Sequence, residues 1–428
     1  MKSSLNLLFI YFLFSLSVKA QENLMHLTDS LSKSIILIQK DLDIVKHLKI
    51  NGWIQAQYQN ADSIGALNFD GGDFPANVDS RFMIRRGRIK FTYHNNNVQY
   101  VAQLNMTERF VNIADLYGKI TDPIIKWASL QAGIMNRPFG YDISYSSADR
   151  ESPERARYTQ ILTPNERDMG AEIIIEAPKN SKYNGLKIVA GLFNGTGITI
   201  PNVNISDIDS KKDFIGRLSY YKSLNHDKIN YGIGASNYYG YERVANNFLY
   251  NQINNNQYVI SDSIKTTIKG SYAKRIYYGV EALFSIKSII GKTTVRGEYV
   301  LGQQPASKLS SKSPQTSTTG ETYIRNFDGL YAYLIQRIGK TKNELVIKYE
   351  WYDPNIDIKK DDIKSAYRFS SADVKYTAIG LGYNYYANDN FKLMLHYNIV
   401  TNELSKNLSG FTREIPDNIF TARVQIRF

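Results

Sequence analysis

The sequence predicts an all-β fold: a 16-stranded antiparallel transmembrane β-barrel with a short helical segment before it. Three observations carry this. Apolar and polar residues alternate with period two from Asn51 onward, sixteen candidate strands are long enough to cross a bilayer, and the connections between them alternate short and long. Composition agrees: the 428 residues include 32 Tyr and no Cys and carry a net charge of +12, with a mean hydropathy of −0.35. That hydropathy argues against a bundle of membrane helices, whereas a barrel that turns every second residue to water stays polar on average. Without Cys there is no disulfide framework, thiolate-bound metal or Cys nucleophile, and five scattered His leave little room for a His-built metal site.

Residues 1–20 read as a secretory leader. Lys2 precedes an apolar core from Leu5 to Val18, and Val18-Lys19-Ala20 before Gln21 resembles a signal-peptidase site. The run is shorter than the ~18–20 apolar residues of a membrane helix, and no Cys follows for a lipid anchor. Losing Lys2 and Lys19 lowers the net charge to +10. Residues 21–49 have helical texture: Leu24, Leu27, Leu31, Ile35, Ile38, Leu42, Val45 and Leu48 recur at spacings of three and four. This suits either a short periplasmic coiled coil or one amphipathic helix lying on the protein or the membrane surface.

The barrel domain spans residues 50–428. Strands are predicted near 50–60, 81–94, 97–108, 111–121, 126–135, 169–177, 185–193 and 213–222. The second half adds 229–241, 272–286, 289–302, 325–338, 341–353, 373–387, 391–401 and 418–428. Most reach the ~9–11 residues that a tilted strand needs to span a bilayer. The last is the clearest, with Phe420, Ala422, Val424, Ile426 and Phe428 against Thr421, Arg423, Gln425 and Arg427. Short turns such as His94–Asn97 and Gly339–Lys342 alternate with long polar loops at 61–80, 136–168, 194–212, 242–271, 303–324, 354–372 and 402–417. Only the connection near 107–112 is short where a long one is expected. Short periplasmic turns and long outer loops are the pattern of an outer-membrane barrel. The Tyr surplus suits aromatic girdles, with Tyr238-Tyr239, Tyr277-Tyr278 and Tyr385-Tyr386 near strand ends.

Sixteen strands leave room for an aqueous channel. With the apolar face toward lipid, Arg86, Arg88 and Lys90 fall in one inward column. Lys119, Arg217, Arg296, Lys348, Lys392, Arg423 and Arg427 also turn inward, with fewer acids such as Asp115, Glu298 and Glu350. A positive lining concentrates small anions, and guanidinium forks suit phosphate-like oxyanions. The same charges also suit pairing with lumen carboxylates or with the phosphates of lipopolysaccharide. Loop 136–168 is the third and carries Arg137, Arg150, Arg155, Arg157 and Arg167 among six acids. In sixteen-stranded porins the third loop sets the constriction.

Five motifs in order resemble the phosphate-selective porin O and P family: Arg85-Arg86-Gly87-Arg88-Ile89, Ile113-Ala114-Asp115-Leu116-Tyr117, Leu130-Gln131-Ala132-Gly133-Ile134, Asn136-Arg137-Pro138-Phe139-Gly140 and Arg167-Asp168-Met169-Gly170. The resemblance implies a trimeric outer-membrane porin of a Gram-negative-type bacterium, conducting anions, phosphate or polyphosphate among them. It matches Arg85 and Arg86 to the family's second-strand arginines and Asp115 to a lumen acid. Strict alternation turns only one of Arg85 and Arg86 inward, so a bulge or a rim position is required for both. The expected channel-lining set is Arg85, Arg86, Arg88, Lys90, Asp115, Lys119, Arg137, Arg155, Arg157 and Arg167. No catalytic pattern, cofactor fingerprint or nucleic-acid patch is read from the chain. A structural or adhesin barrel closed by its loops is the alternative function.

Overall fold

A computed structural model describes residues 25–40, 42, 46–198, 209–253, 257–260, 269–314 and 320–428. The expected leader, residues 1–20, lies outside the described residues. Residues 25–40 form helix α1, whose side chains are exposed throughout, including Leu27, Leu31, Ile35 and Ile38.

The first strands are β1 (Leu48–Ala61), β2 (Ser80–Asn95), β3 (Val98–Met106), β4 (Val111–Thr121) and β5 (Ala128–Asn136). Two short helices follow, α2 (Gly140–Ser144) and α3 (Arg157–Leu162). Then come β6 (Arg167–Glu176), β7 (Leu186–Phe193), β8 (Asp213–Leu224), β9 (Ile229–Arg243), β10 (Leu249–Ile253) and β11 (Gln257–Ile260). The chain continues through β12 (Tyr272–Ser288), β13 (Gly291–Ala306), β14 (Thr322–Arg337) and β15 (Asn343–Asp353). It ends with β16 (Tyr376–Asn388), β17 (Phe391–Asn402) and β18 (Ile419–Arg427).

Sixteen of these strands close an antiparallel barrel: β9 pairs directly with β12, and β18 returns to β1 with Trp53 opposite Arg427. All sixteen predicted strands are present. The remaining pair, β10 and β11, is a hairpin inside the 242–271 loop, and β10 adds two parallel contacts to the start of β14. Every second barrel residue lies bare on the outside, as with Leu116 and Ile120, Val280 and Phe284, or Leu345 and Ile347. A continuous exposed apolar band is what lipid, rather than water, solvates.

The core sits inside the barrel. The loop between β5 and β6 turns inward, and its Phe139, Ile143, Tyr158, Ile161 and Leu162 pack against inward Tyr238, Tyr277, Phe327, Tyr331 and Tyr352 of the wall. Tyr158 stacks on Tyr331 with ring centroids 6.3 Å apart, and a Cβ on Gly329 would press on the Tyr158 ring at 3.1 Å. Each buried aromatic removes roughly 150–250 Å² from water, at about 25 cal/mol per Å². This core corrects the girdle assignment for one member of each of two Tyr pairs. Tyr239 and Tyr278 face outward, but Tyr238 and Tyr277 alternate inward beneath the loop at 1 % and 0 % exposure. A second cluster of Tyr250, Tyr258, Tyr323, Ile358, Ile363, Phe369, Val374, Leu408 and Phe411 gives the outer loops their own core. There Asp373 accepts from Arg325 Nε at 2.9 Å, the Tyr258 hydroxyl at 2.8 Å and Asn355 Nδ2 at 2.9 Å.

Candidate functional site: the lumen constriction

The third loop, residues 137–166, is built to stay inside the barrel. At its start Gly140 adopts φ +67°, and a Cβ there would overlap the Glu298 carboxylate. That carboxylate instead accepts the N–H groups of Tyr141 at 2.7 Å and Asp142 at 3.0 Å, and Ser236 Oγ takes the N–H of Gly140. Farther along, the Ala148 carbonyl receives Lys392 Nζ, Gln425 Nε2 and Arg427 Nη2. Tyr333 bonds Ser152, Asn384 bonds the Glu151 carbonyl, and Glu350 accepts the N–H of Arg157. With Gln55 of β1 and Arg217 of β8, the loop's hydrogen bonds reach β1, β2, β8, β9 and β13–β18.

Charge pairs do the rest. Glu154, 2 % exposed, accepts from Arg85 Nε at 2.8 Å, Arg86 Nη1 at 3.0 Å and Arg423 Nη2 at 2.9 Å. Burial by itself would raise this carboxyl, but Arg85, Arg86 and Arg423 hold it well below the usual carboxylate range. Glu151 pairs with Arg296 across 3.0 Å, and Glu166 binds Arg155 and Arg167. Both carboxyls are lowered against the opposing effect of burial, Glu151 chiefly by Arg296 and Glu166 chiefly by Arg155.

The second-strand arginines are both brought inward by a bulge. Gln55 pairs with Arg86 and the next residue, Ala56, with Ile84, which leaves Arg85 as the extra residue. Arg85 remains half-buried while Arg86 is 6 % exposed, and both grip Glu154. Arg88 is half-buried, 3.4 Å from Asn105 Oδ1, with its guanidinium 5.7 Å from the Trp53 ring. Lys90 and Lys119 are half-buried on β2 and β4, the latter level with Gln99 and Gln131. Asp115 is buried and accepts Arg167 Nε at 2.7 Å.

The other expected residues lie within the loop's own scaffold. Arg137 is fully buried, 3.3 Å from Asp168. Arg155 joins Glu166 and the Tyr145 carbonyl, and Arg157 lies between the Phe69 and Tyr376 rings at 4.5 and 3.7 Å. The structure thus gathers Arg88, Lys90 and Lys119, with Asn105 and Tyr117, as half-buried inward residues on β2–β4, and draws Arg85, Arg86, Arg137, Arg155 and Arg167 into ion pairs. Sequence reasoning did not single out Glu154 or Glu298 as anchors of the loop. Glu154 stood among the acids of an Arg-rich loop, but nothing local indicated that residues 85, 86 and 423 would converge on it. Among the described residues, no group of His, Asp and Glu is arranged to hold a metal ion.

A closed sixteen-stranded barrel with an apolar outer band and a third loop folded into the lumen defines the porin class of outer-membrane fold. No protein-family model matches the sequence, and no curated protein is detectably similar to it. Solved structures are similar in fold. OprB of Pseudomonas putida aligns with a TM-score of 0.57 at 9 % identity, over 91 % of this chain and 96 % of that one. The outer membrane channel DcaP of Acinetobacter baumannii gives 0.52 at 10 % identity, over 89 % and 97 %. An anion-selective porin from Comamonas acidovorans gives 0.50 at 10 % identity, over 89 % and 98 %.

Proposed function

We propose that this chain is an outer-membrane porin of a Gram-negative-type bacterium, forming a water-filled channel for passive diffusion of small anions, phosphate or polyphosphate among them. The observation that carries the reading is the strip of half-buried cations, Arg88, Lys90 and Lys119, on inward positions of β2 and β4, beside Arg85, whose charge Glu154 offsets. Cations on a low-dielectric wall focus the field and favour anions in the adjoining water. The bulge that turns both Arg85 and Arg86 inward supports the resemblance to the phosphate-selective porin O and P family. In this reading residues 1–20 are removed on export, and residues 21–47, ahead of β1, lie in the periplasm as a coiled coil that helps hold a homotrimer. The apolar band meets lipid, and rim cations meet lipopolysaccharide.

The test is the reversal potential of purified protein in a planar bilayer under a KCl gradient. Anion selectivity is expected. Replacing Arg88, Lys90 and Lys119 together with Gln should move it toward zero, while Lys308→Ala in the 307–321 loop should not. A cation-selective channel, or equal effects of the two changes, would sink the assignment. A loop-closed barrel is the second reading, favoured by the apolar core packed between the third loop and the inward face of the wall. Absence of steady conductance would select it.

A further inference from the structure

The third loop buries a guanidinium that no described group satisfies. Arg150 is 1 % exposed, and its Nε, Nη1 and Nη2 all lack a hydrogen-bond partner among the described residues. Arg86, Arg155, Asp142 and Glu154 lie within its electrostatic reach. Both of those carboxylates are already engaged. Asp142 Oδ2 accepts the Ala156 N–H and the Thr159 hydroxyl, with Arg155 3.9 Å from Oδ1, and Glu154 holds three other guanidiniums.

Taken together, six guanidiniums, those of Arg85, Arg86, Arg150, Arg155, Arg167 and Arg423, stand against the four carboxylates of Asp115, Asp142, Glu154 and Glu166. In this cluster of loop and wall residues the guanidiniums outnumber the carboxylates by two. A buried ion without a counter-charge costs several kcal/mol. Enclosed water would satisfy the N–H donors and leave the charge. The backbone cannot relieve this by shifting, because the Arg150 N–H closes a turn on the Ser146 carbonyl at 3.2 Å and its carbonyl accepts Lys392 Nζ at 2.9 Å. The same turn buries a second unpartnered donor, Ser147 Oγ.

We propose that Arg150 holds a halide-sized monovalent anion, enclosed within the third loop as a structural ligand separate from the ions that permeate. The anion completes the guanidinium's hydrogen bonds and offsets one of the two excess charges. Its small size follows from enclosure, since every nitrogen of the guanidinium is sealed from solvent. Burial, reinforced by Arg155, pushes the Arg150 guanidinium down to about 10, the direction expected of a cation lacking its counter-charge. The site does not depend on conduction, because a closed barrel would need the same compensation.

The test uses the purified full-length protein in detergent at matched ionic strength, in sodium chloride, sodium bromide or sodium gluconate, the last too large to enter. Thermal unfolding should come several degrees lower in gluconate than in chloride, and Arg150→Gln should abolish that difference. Crystals grown in bromide should show an anomalous peak within hydrogen-bond distance of the Arg150 guanidinium. Equal midpoints in chloride and gluconate, or bromide data without that peak, overturn the proposal. The bromide measurement uses the unmodified protein, so it decides even where Arg150→Gln does not fold. Absence of conductance in planar bilayers would remove the channel reading and leave this one standing.

Discussion

Replacing Glu154 with Gln tests whether the third loop is held by charge. Gln keeps the volume and one acceptor oxygen, but it removes the charge that Arg85, Arg86 and Arg423 share and turns an NH₂ donor toward one of them. Breaking a buried pair by neutralising one partner costs about 3–5 kcal/mol. The strand ladders keep the barrel closed and the loop's other anchors at Glu298, Glu151 and the Ala148 carbonyl persist, so the loss should appear as local opening. About 3 kcal/mol corresponds to a more than hundredfold rise in the open-loop population. Limited proteolysis of residues 137–166 in folded protein reads this directly, and urea unfolding in detergent gives the accompanying free energy. Glu154 is held well below its ordinary value, so its contribution is complete above the ordinary carboxylate range and is lost as pH falls through the depressed one. The difference between the two proteins should therefore be constant from about pH 5 to 8 and shrink in stronger acid. A variant cleaved no faster than the parent, or a difference that persists unchanged in strong acid, would refute the reasoning.

Four further outcomes are expected. Gly140→Ala should disorder the start of the loop, since it combines a left-handed backbone with overlap at Glu298, and a changed single-channel conductance would report it. Asp373→Ala should leave the Arg325 guanidinium unpaired and loosen the outer-loop cluster by about 3 kcal/mol or more, read as faster cleavage of residues 354–375 with the barrel still folded. Neutralising Arg88, Lys90 and Lys119 together should shift the reversal potential toward zero without altering unfolding. Deleting residues 21–47 should weaken the oligomer on native gels, and an unchanged oligomer would show that α1 does not assemble it.

The barrel was legible because each strand carries its own two-residue period and each turn its own punctuation, both local signals. Strand boundaries agree to within a few residues, as with 111–121 and β4. Alternation also showed that Arg85 and Arg86 could both turn inward only through a bulge or at a rim position, and the register contains the bulge. The β10–β11 hairpin was missed although Asn254-Asn255-Asn256 punctuates two alternating runs, because the stretch was read only by its polarity. The interior core was not legible at all. Alternation puts Tyr238 and Tyr239 on opposite faces, but only the loop lying over the inward one makes it a buried core ring. The site divides the same way. Positions on β2 and β4 followed from alternation, whereas the pairing that withdraws Arg86, Arg155 and Arg167 from the lumen joins segments far apart in the chain.

The convergence of Arg86, Glu154 and Arg423 bears on the order of assembly. Residue 423 belongs to the last strand made, and it lies 269 positions beyond the carboxylate it grips. It stands beside Gln57 of the first strand across the closing seam, where Arg423 also bonds Gln57 Oε1. A growing barrel that lacks β18 offers Glu154 only part of its partners and the Ala148 carbonyl only one of its three donors. Contacts of such sequence separation form late. The loop thus becomes a reporter of completion: it seats firmly when the first and last strands have met, and protection of residues 137–166 from protease should appear in step with closure.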